Sequence, residues 1–290
     1  MNLLNLGLIG AAMIGAVSTT ALPGLFAIAN SSALFFDGNR TNGVAYSDNG
    51  QKLDIYTPER DGSGLKPVVV FFYGGSWQWG ERTDYPFAGV TLAQEGFVTV
   101  IPDYRKYPEV RFPGFVEDGA AAIAWVRANI SAYGGDPERI HIMGHSAGAH
   151  IASLLAVDER YLAEAGAPDS IDSFIGLAGP YRFTPESGTF LEILGPAERI
   201  PQTQTTTFID GSEPPMLLLH GLDDSTVTDR HTRELAEKVT QAAGCVQTIF
   251  YPDVGHAGVM SGFTWVFQDS KPMVRDVVAF LRQMDAGATC

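Results

Sequence analysis

The sequence is poor in cysteine and in basic side chains. It has two cysteines, Cys245 and Cys290, and 19 lysine and arginine residues against 33 aspartate and glutamate residues. Neither cysteine shows metal-ligand spacing, and a disulfide is not favoured because Cys290, at the C-terminus, would leave a bridge little to hold. The net charge of −14 repels phosphate backbones, so the composition argues against nucleic-acid binding.

Charge is also missing from the N-terminal segment, residues 1–36. A signal peptide would explain this, with Ala27-Ile28-Ala29 as a cleavage site, but the usual positive region is absent because the first basic residue is Arg40. A membrane anchor and a helix that packs on the enzyme or on a partner are the alternatives. An exported or membrane-associated location is therefore favoured over a cytoplasmic one. The oligomeric state is left open.

Residues 37–290 carry the pattern of one α/β domain. The 290 residues, 45% hydrophobic and 18% charged, are typical of a globular protein. Short apolar runs that predict strands alternate with stretches of helical periodicity, which predicts a mostly parallel sheet covered by helices on both faces. The strand runs are 44–46, 52–56, 68–73, 97–101, 140–143, 174–177, 216–219 and 246–251, and the helical stretches include 115–130, 147–157, 230–242 and 273–284.

One segment, residues 184–215, interrupts this alternation. It has scattered apolar residues, several prolines and a polar run at 202–207. A long insertion at the carboxyl edge of a sheet is typically a lid or a pocket wall, and a plain surface excursion is the alternative.

The central motif is Gly144-His145-Ser146-Ala147-Gly148. The pattern G-x-S-x-G is weak by itself, but here it follows a predicted strand and opens a predicted helix. A serine at such a sharp turn projects its hydroxyl from the sheet edge, and the small neighbours let strand and helix approach. We therefore expect Ser146 to be a nucleophile.

A serine nucleophile needs a base, and His256 is the best of six histidines. It lies in a glycine-rich loop after the last predicted strand. His145 and His150 are too close to Ser146 along the chain, and His141 lies on the same strand. His231 lies on a polar helix face, and His220 ends a strand but precedes the acidic residues that are needed for another role. Elimination and position favour His256 as the general base.

The base in turn needs a carboxylate that orients its ring. Asp223 and Asp224 follow a buried strand, and either would complete the chain order Ser, Asp, His that the α/β-hydrolase fold uses. A metal site at this pair is disfavoured because no third ligand stands nearby. No metal and no cofactor are expected.

A glycine pair follows the first buried strand, in Tyr73-Gly74-Gly75-Ser76-Trp77. Attack on an ester creates an oxyanion, and backbone N–H groups stabilise it where no side chain blocks the approach. The loop Gly74, Gly75 and Ser76 is therefore expected to form an oxyanion hole together with Ala147. A simple glycine turn is the alternative.

With these motifs the chain resembles small carboxylesterases of the α/β-hydrolase superfamily. It looks closest to the group of prenylcysteine methylesterases, feruloyl-esterase-like proteins and kynurenine formamidases. The resemblance runs from Val44 to Met284. Its motifs are Phe72 to Trp77, Asp103-Tyr104-Arg105 with Pro108, Phe112-Pro113 with Glu117-Asp118, Tyr133 to Pro137 with Arg139-Ile140, Gly144 to His150, His220-Gly221 with Asp224 and Val227, and Gly255-His256.

The resemblance implies site residues that the motifs leave open. In this family the acid stands four residues after the histidine of the His-Gly pair and three before a valine, which selects Asp224. The family usually has histidine where this chain has Tyr73, and that histidine is thought to brace the loop and not to react. The resemblance implies that the tyrosine hydroxyl substitutes for it and that catalysis survives, whereas the pocket and the substrate preference are expected to differ. Tyr73, Trp77 and Tyr181 are expected to contact substrate.

The resulting expectation is a serine carboxylesterase that acts on a small-molecule ester of short or modest length. An amidase or arylformamidase with the same triad is the first alternative. A catalytically silent binding module is the second, and it is disfavoured because no triad member is missing.

Overall fold

The computed structural model describes residues 29–31, 36–59, 61–62, 64–183, 185, 188–264 and 272–288. Nearly all of the apolar N-terminal segment lies outside these residues, so its three interpretations stay predictions. Within the described ranges, no helix is both long enough and apolar enough to cross a membrane.

The core of the fold is one eight-stranded sheet in the order β1-β2-β4-β3-β5-β6-β7-β8. Strand β2 runs antiparallel to both β1 and β4, and the pairs from β4 through β3 to β8 are all parallel. The mostly parallel sheet predicted from the apolar runs is confirmed. The strands are β1 Asn39–Ala45, β2 Lys52–Thr57, β3 Lys66–Phe72, β4 Val98–Pro102, β5 Gly135–His145, β6 Ser173–Leu177, β7 Met216–Gly221 and β8 Val246–Tyr251.

Helices connect the strands, as the alternating pattern predicts. They are α1 Pro86–Gln94, α2 Gly114–Asn129, α3 Ala147–Val157, α4 Glu159–Glu164, α5 Thr189–Leu194, α6 Arg230–Gln241, α7 Gly258–Ser261 and α8 Met273–Asp285, with 3-10 turns at Arg82–Asp84, Ile130–Tyr133, Ala197–Thr203 and Thr205–Thr207. Helix α1 has no signal in the sequence because residues 86–93 are all buried, and a helix without a polar face has no amphipathic period.

The parallel strands bring the candidate functional residues to one edge of the sheet. Strand β3 leads into the glycine-rich loop, β5 into Ser146, β7 into Asp224 and β8 into the loop of His256. Because these strands are parallel, their carboxyl ends lie at the same edge, where open α/β sheets bind their ligands.

The segment 184–215 lies between β6 and β7 and contains α5 and two 3-10 turns. It is attached to helix α3 at two points. The Nε2–H of His150 donates to the carbonyl O of Thr203 at 2.7 Å, and Ser153 Oγ lies 2.7 Å from Thr205 Oγ1. Its role as a lid or pocket wall stays a prediction.

One expectation about the cysteines is wrong, since Cys245 is disulfide-bonded. Cys290, the only other cysteine of the sequence, lies outside the described residues. The physical reason is visible nearby. Gln247 Nε2 donates to Gln283 Oε1 at 3.3 Å, so the end of α8 lies beside the start of β8, next to Cys245.

Candidate active site

Ser146 occupies the sharp turn between β5 and α3. Its backbone has φ 55° and ψ −122°, a left-handed conformation that costs a non-glycine residue of order 1–3 kcal/mol. The N–H of Ser146 donates to the carbonyl O of Leu177 at 2.9 Å and thereby fixes the turn against β6. The side chain is therefore held at the sheet edge in the position that the motif predicts.

The turn depends on close contact between backbone segments at Gly148. A Cβ at this position would lie 2.1 Å from the carbonyl O of Phe72 and 2.4 Å from that of Tyr73. Only glycine lets the first turn of α3 pack this closely on the end of β3. This contact brings the nucleophile turn next to the loop that follows β3.

His256 lies within hydrogen-bond distance of Ser146. Its Nε2 is 2.9 Å from Ser146 Oγ, although 110 residues separate the two positions along the chain. Its Nδ1 is 2.7 Å from Asp224 Oδ2. Because the carboxylate accepts, the Nδ1 carries the proton, and the Nε2 lone pair faces the serine hydroxyl. This is the tautomer that a general base requires.

Asp224 is a buried carboxylate with several hydrogen-bond donors around it. Its Oδ1 accepts from the N–H groups of Thr226 at 2.9 Å and Val227 at 2.8 Å. Burial by itself would raise the pKa of Asp224, but the rings of His220 and His256 and these N–H groups outweigh burial and hold the pKa well below its ordinary value. Asp224 is therefore ionised and aimed at the base.

His145, next to Ser146 in sequence, supports the loop of His256. Its Nε2–H donates to the backbone O of His256 at 3.2 Å, and the two rings lie 4.9 Å apart. Burial, together with the neighbouring His256, lowers the pKa of His145 to about 3. The ring is therefore neutral at ordinary pH and adds no second charge beside the base.

The loop after β3 supplies the candidate oxyanion hole. A Cβ on Gly74 would lie 3.1 Å from Ser146 Cβ, which places the loop directly beside the nucleophile. Gly75 has φ 134°, and Ser76 has φ 53°. Among the described residues, the N–H groups of Gly75, Ser76 and Ala147 have no backbone acceptor. These donors remain available for an oxyanion at Ser146.

Asp103 joins the two ends of this loop. Its Oδ1 accepts from the Tyr73 hydroxyl at 2.9 Å and from the N–H of Arg82 at 2.8 Å, and its Oδ2 accepts from the Arg82 guanidinium. The hydroxyl of Tyr104 donates to the carbonyl O of Tyr73 at 2.9 Å. One carboxylate thus fixes the residues immediately before and shortly after the glycine pair.

The prediction that Tyr73 contacts substrate does not agree with its position. The side chain has no exposed surface, and its ring is stacked between Tyr85 at 5.4 Å and Tyr104 at 4.8 Å. The Tyr73 side chain instead supports the oxyanion loop from the protein interior, through its hydrogen bond to Asp103. Tyr181 is likewise fully buried and packs against Phe174 at 6.1 Å, so it belongs to the core and not to a pocket surface.

Trp77 lies at the end of the oxyanion loop within an aromatic cluster. Its ring stacks on Phe183 at 5.9 Å and contacts the edge of His150 at 5.1 Å, with Phe190 and Phe115 each at 6.1 Å. The side chain is 3% exposed. Trp77 therefore stands between the oxyanion loop and the 184–215 segment, and contact with substrate stays a prediction.

The described part of the chain contains no group of three or more histidine, cysteine, aspartate or glutamate side chains that could hold a metal ion. The arrangement that is present consists of a hydroxyl, an imidazole, a carboxylate and free backbone donors. These groups can carry out nucleophilic acyl transfer.

The fold and this site define an α/β-hydrolase. A model of the prolyl oligopeptidase family matches residues 117–284, and one described as BD-FAE matches residues 53–180. The first match covers more than half of the chain, so the chain belongs to the prolyl oligopeptidase family. The resemblance to α/β-hydrolase carboxylesterases is also confirmed by the relatives that follow.

Two relatives illustrate this group. A probable isoprenylcysteine alpha-carbonyl methylesterase of Arabidopsis thaliana is 29% identical over 77% of this chain and 52% of its own length. Esterase LipC of Mycobacterium tuberculosis is 33% identical over 73% of this chain and 58% of its own length. The chain thus spans between half and three fifths of the length of these two relatives.

Solved structures confirm the fold. A truncated carbohydrate esterase from gut microbiota superposes with a TM-score of 0.75 at 21% identity, covering 86% of this chain and 96% of the other. An esterase of Thermogutta terrifontis gives a TM-score of 0.71 at 24% identity, covering 85% and 94%.

Three positioning contacts lie outside the residues singled out from the sequence. They involve Asp103 at the oxyanion loop, His145 at the base loop and His220 beside the acid. All three belong to motifs of the family resemblance, so that resemblance contained the signal. Their partners, however, lie far away along the chain or on another element.

Proposed function

We propose that this chain is a serine carboxylesterase that hydrolyses short-chain or modest carboxylic esters through an acyl-enzyme intermediate on Ser146. The observation that carries the proposal is the continuous contact from Ser146 Oγ through His256 to Asp224, at 2.9 and 2.7 Å. The names of the relatives, a methylesterase and an esterase, support the choice of carboxylic esters.

In the proposed reaction, Ser146 Oγ attacks the ester carbonyl while His256 Nε2 takes its proton. The imidazolium that forms is stabilised by the ionised Asp224 at Nδ1. His256 then gives the proton to the departing alcohol. A water molecule, activated by the same Nε2, attacks the acyl-enzyme, releases the acid and restores the serine.

The negative charge that develops on the carbonyl oxygen needs donors that are already in place. Gly74 lies against Ser146, Gly75 and Ser76 follow it on a loop that the Asp103 contacts hold in place, and Ala147 follows Ser146 directly. Losing one such donor typically costs about 2.7–4 kcal/mol of barrier. We therefore assign these N–H groups to the oxyanion hole.

The preference for a modest acyl group rests on the aromatic cluster at Trp77. Phe115, Phe183 and Phe190 surround this ring, and His150 closes one edge. The volume next to the oxyanion loop on this side is thus filled by side chains. A long alkyl chain would have to displace them, and repacking a well-filled cluster costs about 1–3 kcal/mol.

The test is a kinetic comparison of p-nitrophenyl acetate, butyrate and decanoate with N-formylkynurenine. We expect kcat/KM to be highest for acetate or butyrate and at least tenfold lower for decanoate. A higher kcat/KM for N-formylkynurenine than for every ester would contradict this proposal and would identify the chain as an arylformamidase instead.

Ser146→Ala is the matched control because it removes only one oxygen atom. We expect it to abolish both turnover and covalent labelling by a fluorophosphonate. If the parental protein neither hydrolyses an ester nor becomes labelled, the silent binding module would be the better description.

A further inference from the structure

His220 is a fully buried histidine at the end of β7, four residues before Asp224. Its Nε2 lies 2.7 Å from the carbonyl O of Val227 and its Nδ1 lies 2.7 Å from Thr232 Oγ1. A carbonyl oxygen only accepts, so Nε2 carries the proton. The hydroxyl of Thr232, on α6, then donates to Nδ1, and the tautomer and the ring orientation are both fixed.

The same Nε2 also lies 3.3 Å from Asp224 Oδ2, the oxygen that accepts from His256. The carbonyl that His220 holds belongs to Val227, whose N–H donates to Asp224 Oδ1. His220 therefore touches the carboxylate at one oxygen and anchors the donor to the other. The N–H edge of the His220 ring therefore faces the negative charge of Asp224.

We propose that His220 is a positioning residue for the catalytic acid, which keeps Asp224 Oδ2 aimed at His256 by holding the turn between Asp224 and Val227. This inference rests on the proposed serine esterase mechanism and adds a fourth side chain to it. His220 touches neither the reacting serine nor the proposed substrate, so it acts only through Asp224.

The chain contains a matched control in His141. This histidine is also buried on a strand, its Nδ1 lies 2.8 Å from Ser173 Oγ, and its Nε2 lies 3.3 Å from Asp285 Oδ1. It thus contacts a hydroxyl and a carboxylate at nearly the same distances as His220 does, but not a backbone carbonyl such as that of Val227. Asp285 is the last residue of α8, and no part of the proposed mechanism involves it.

The experiment is a double-mutant cycle on kcat/KM for p-nitrophenyl butyrate. His220→Leu is made in the parental protein and in Asp224→Ala, and His141→Leu is made in both as well. We expect His220→Leu to lower kcat in the parent by roughly ten- to a hundredfold, the range for a lost contact to a charged group, with KM changed less than threefold. In the Asp224→Ala background, His220→Leu should lower kcat by less than about threefold, because the carboxylate that His220 positions is gone.

His141→Leu separates positioning from a loss of stability. It should lower the unfolding midpoint by an amount similar to His220→Leu and leave kcat within about threefold of the parent. If His220→Leu does not fold, Thr232→Val is used in the same double-mutant cycle, because it replaces with a methyl group only the hydroxyl that orients the His220 ring.

Equal losses from His220→Leu in the two backgrounds would overturn the inference while leaving the esterase mechanism intact. A kcat loss from His141→Leu as large as that from His220→Leu would overturn it too. A parental protein without esterase activity would overturn both the inference and the proposed function.

Discussion

Replacing Asp224 with asparagine tests the orientation of the whole triad. Asp224 Oδ1 accepts two backbone N–H groups, from Thr226 and Val227, at 2.9 and 2.8 Å. In Asp224→Asn the amide oxygen must take these donors, so the amide NH2 turns toward His256 Nδ1. The imidazole can then avoid a clash between two donors only by placing its proton on Nε2, where it faces Ser146 Oγ.

The expected loss follows from this change of tautomer. A ring with the proton on Nε2 cannot accept the serine proton, and the same change in a serine protease triad lowers kcat about 10⁴-fold. That factor corresponds to about 5.4 kcal/mol of barrier. KM should change little, because Asp224 does not contact the substrate. The fold should persist, since the amide fills the same space.

The assay is steady-state hydrolysis of p-nitrophenyl butyrate by the parent, Asp224→Asn and Asp223→Asn. Asp223 is the adjacent carboxylate, and its side chain is exposed. We expect the kcat of Asp223→Asn to stay within about twofold of the parental kcat. If Asp224→Asn keeps more than a tenth of the parental kcat, or if Asp223→Asn loses as much, the assignment of the acid is refuted.

Three further predictions concern the framework of the site. Gly148→Ala should destabilise the protein by about 1–3 kcal/mol or more in urea unfolding, because its Cβ would lie 2.1 Å from a carbonyl oxygen. The control Gly255→Ala, whose Cβ would have its nearest contact at 3.6 Å, should leave stability nearly unchanged. Tyr73→Phe removes a hydrogen bond to Asp103 and should cost about 1–3 kcal/mol of stability. It should also lower kcat more than it changes KM. An unchanged kcat would contradict the role of Tyr73 in holding the oxyanion loop. Burial lowers the pKa of His150 to about 4, below the 6.5 of an unfolded chain, so the unfolded state binds more protons and stability falls as pH drops from about 6.5 towards 4. By pH 5 the protonation of this residue should lower the free energy of unfolding by about 2 kcal/mol. His150→Gln should flatten the pH dependence of the unfolding free energy.

The strands of the sheet were predictable because buried parallel strands leave short apolar runs in the sequence. Helix α1 was not, since its residues are buried on every side and show no helical period. His231 was expected on a polar face, yet it is buried. In both cases tertiary packing decides the environment, and no local pattern records it.

The meeting of Ser146 and His256 with a carboxylate was predictable because each follows a strand and has a residue type suited to its role. The choice of Asp224 over Asp223 came from the family resemblance and not from the local pattern. The shape of the oxyanion loop was not predictable. Ser76 and Trp77 both adopt left-handed backbone conformations, although their side chains give no local reason for it. The Asp103 contacts that join the loop ends link residues up to 30 positions apart, and only the folded chain brings them together.

The attachment of the 184–215 segment to helix α3 has a practical consequence for protein engineering. His150 and Ser153 form hydrogen bonds with Thr203 and Thr205, which lie on the C-terminal side of this segment. The part that contains α5 is held separately, since the N–H of Phe112 donates to the carbonyl O of Ile193 at 2.8 Å. An exchange of this part between related enzymes would therefore have to retain that contact as well as Thr203–Thr205. Such chimeras would vary the residues around Phe190, which contacts Trp77, while the turn that presents Ser146 keeps its original support.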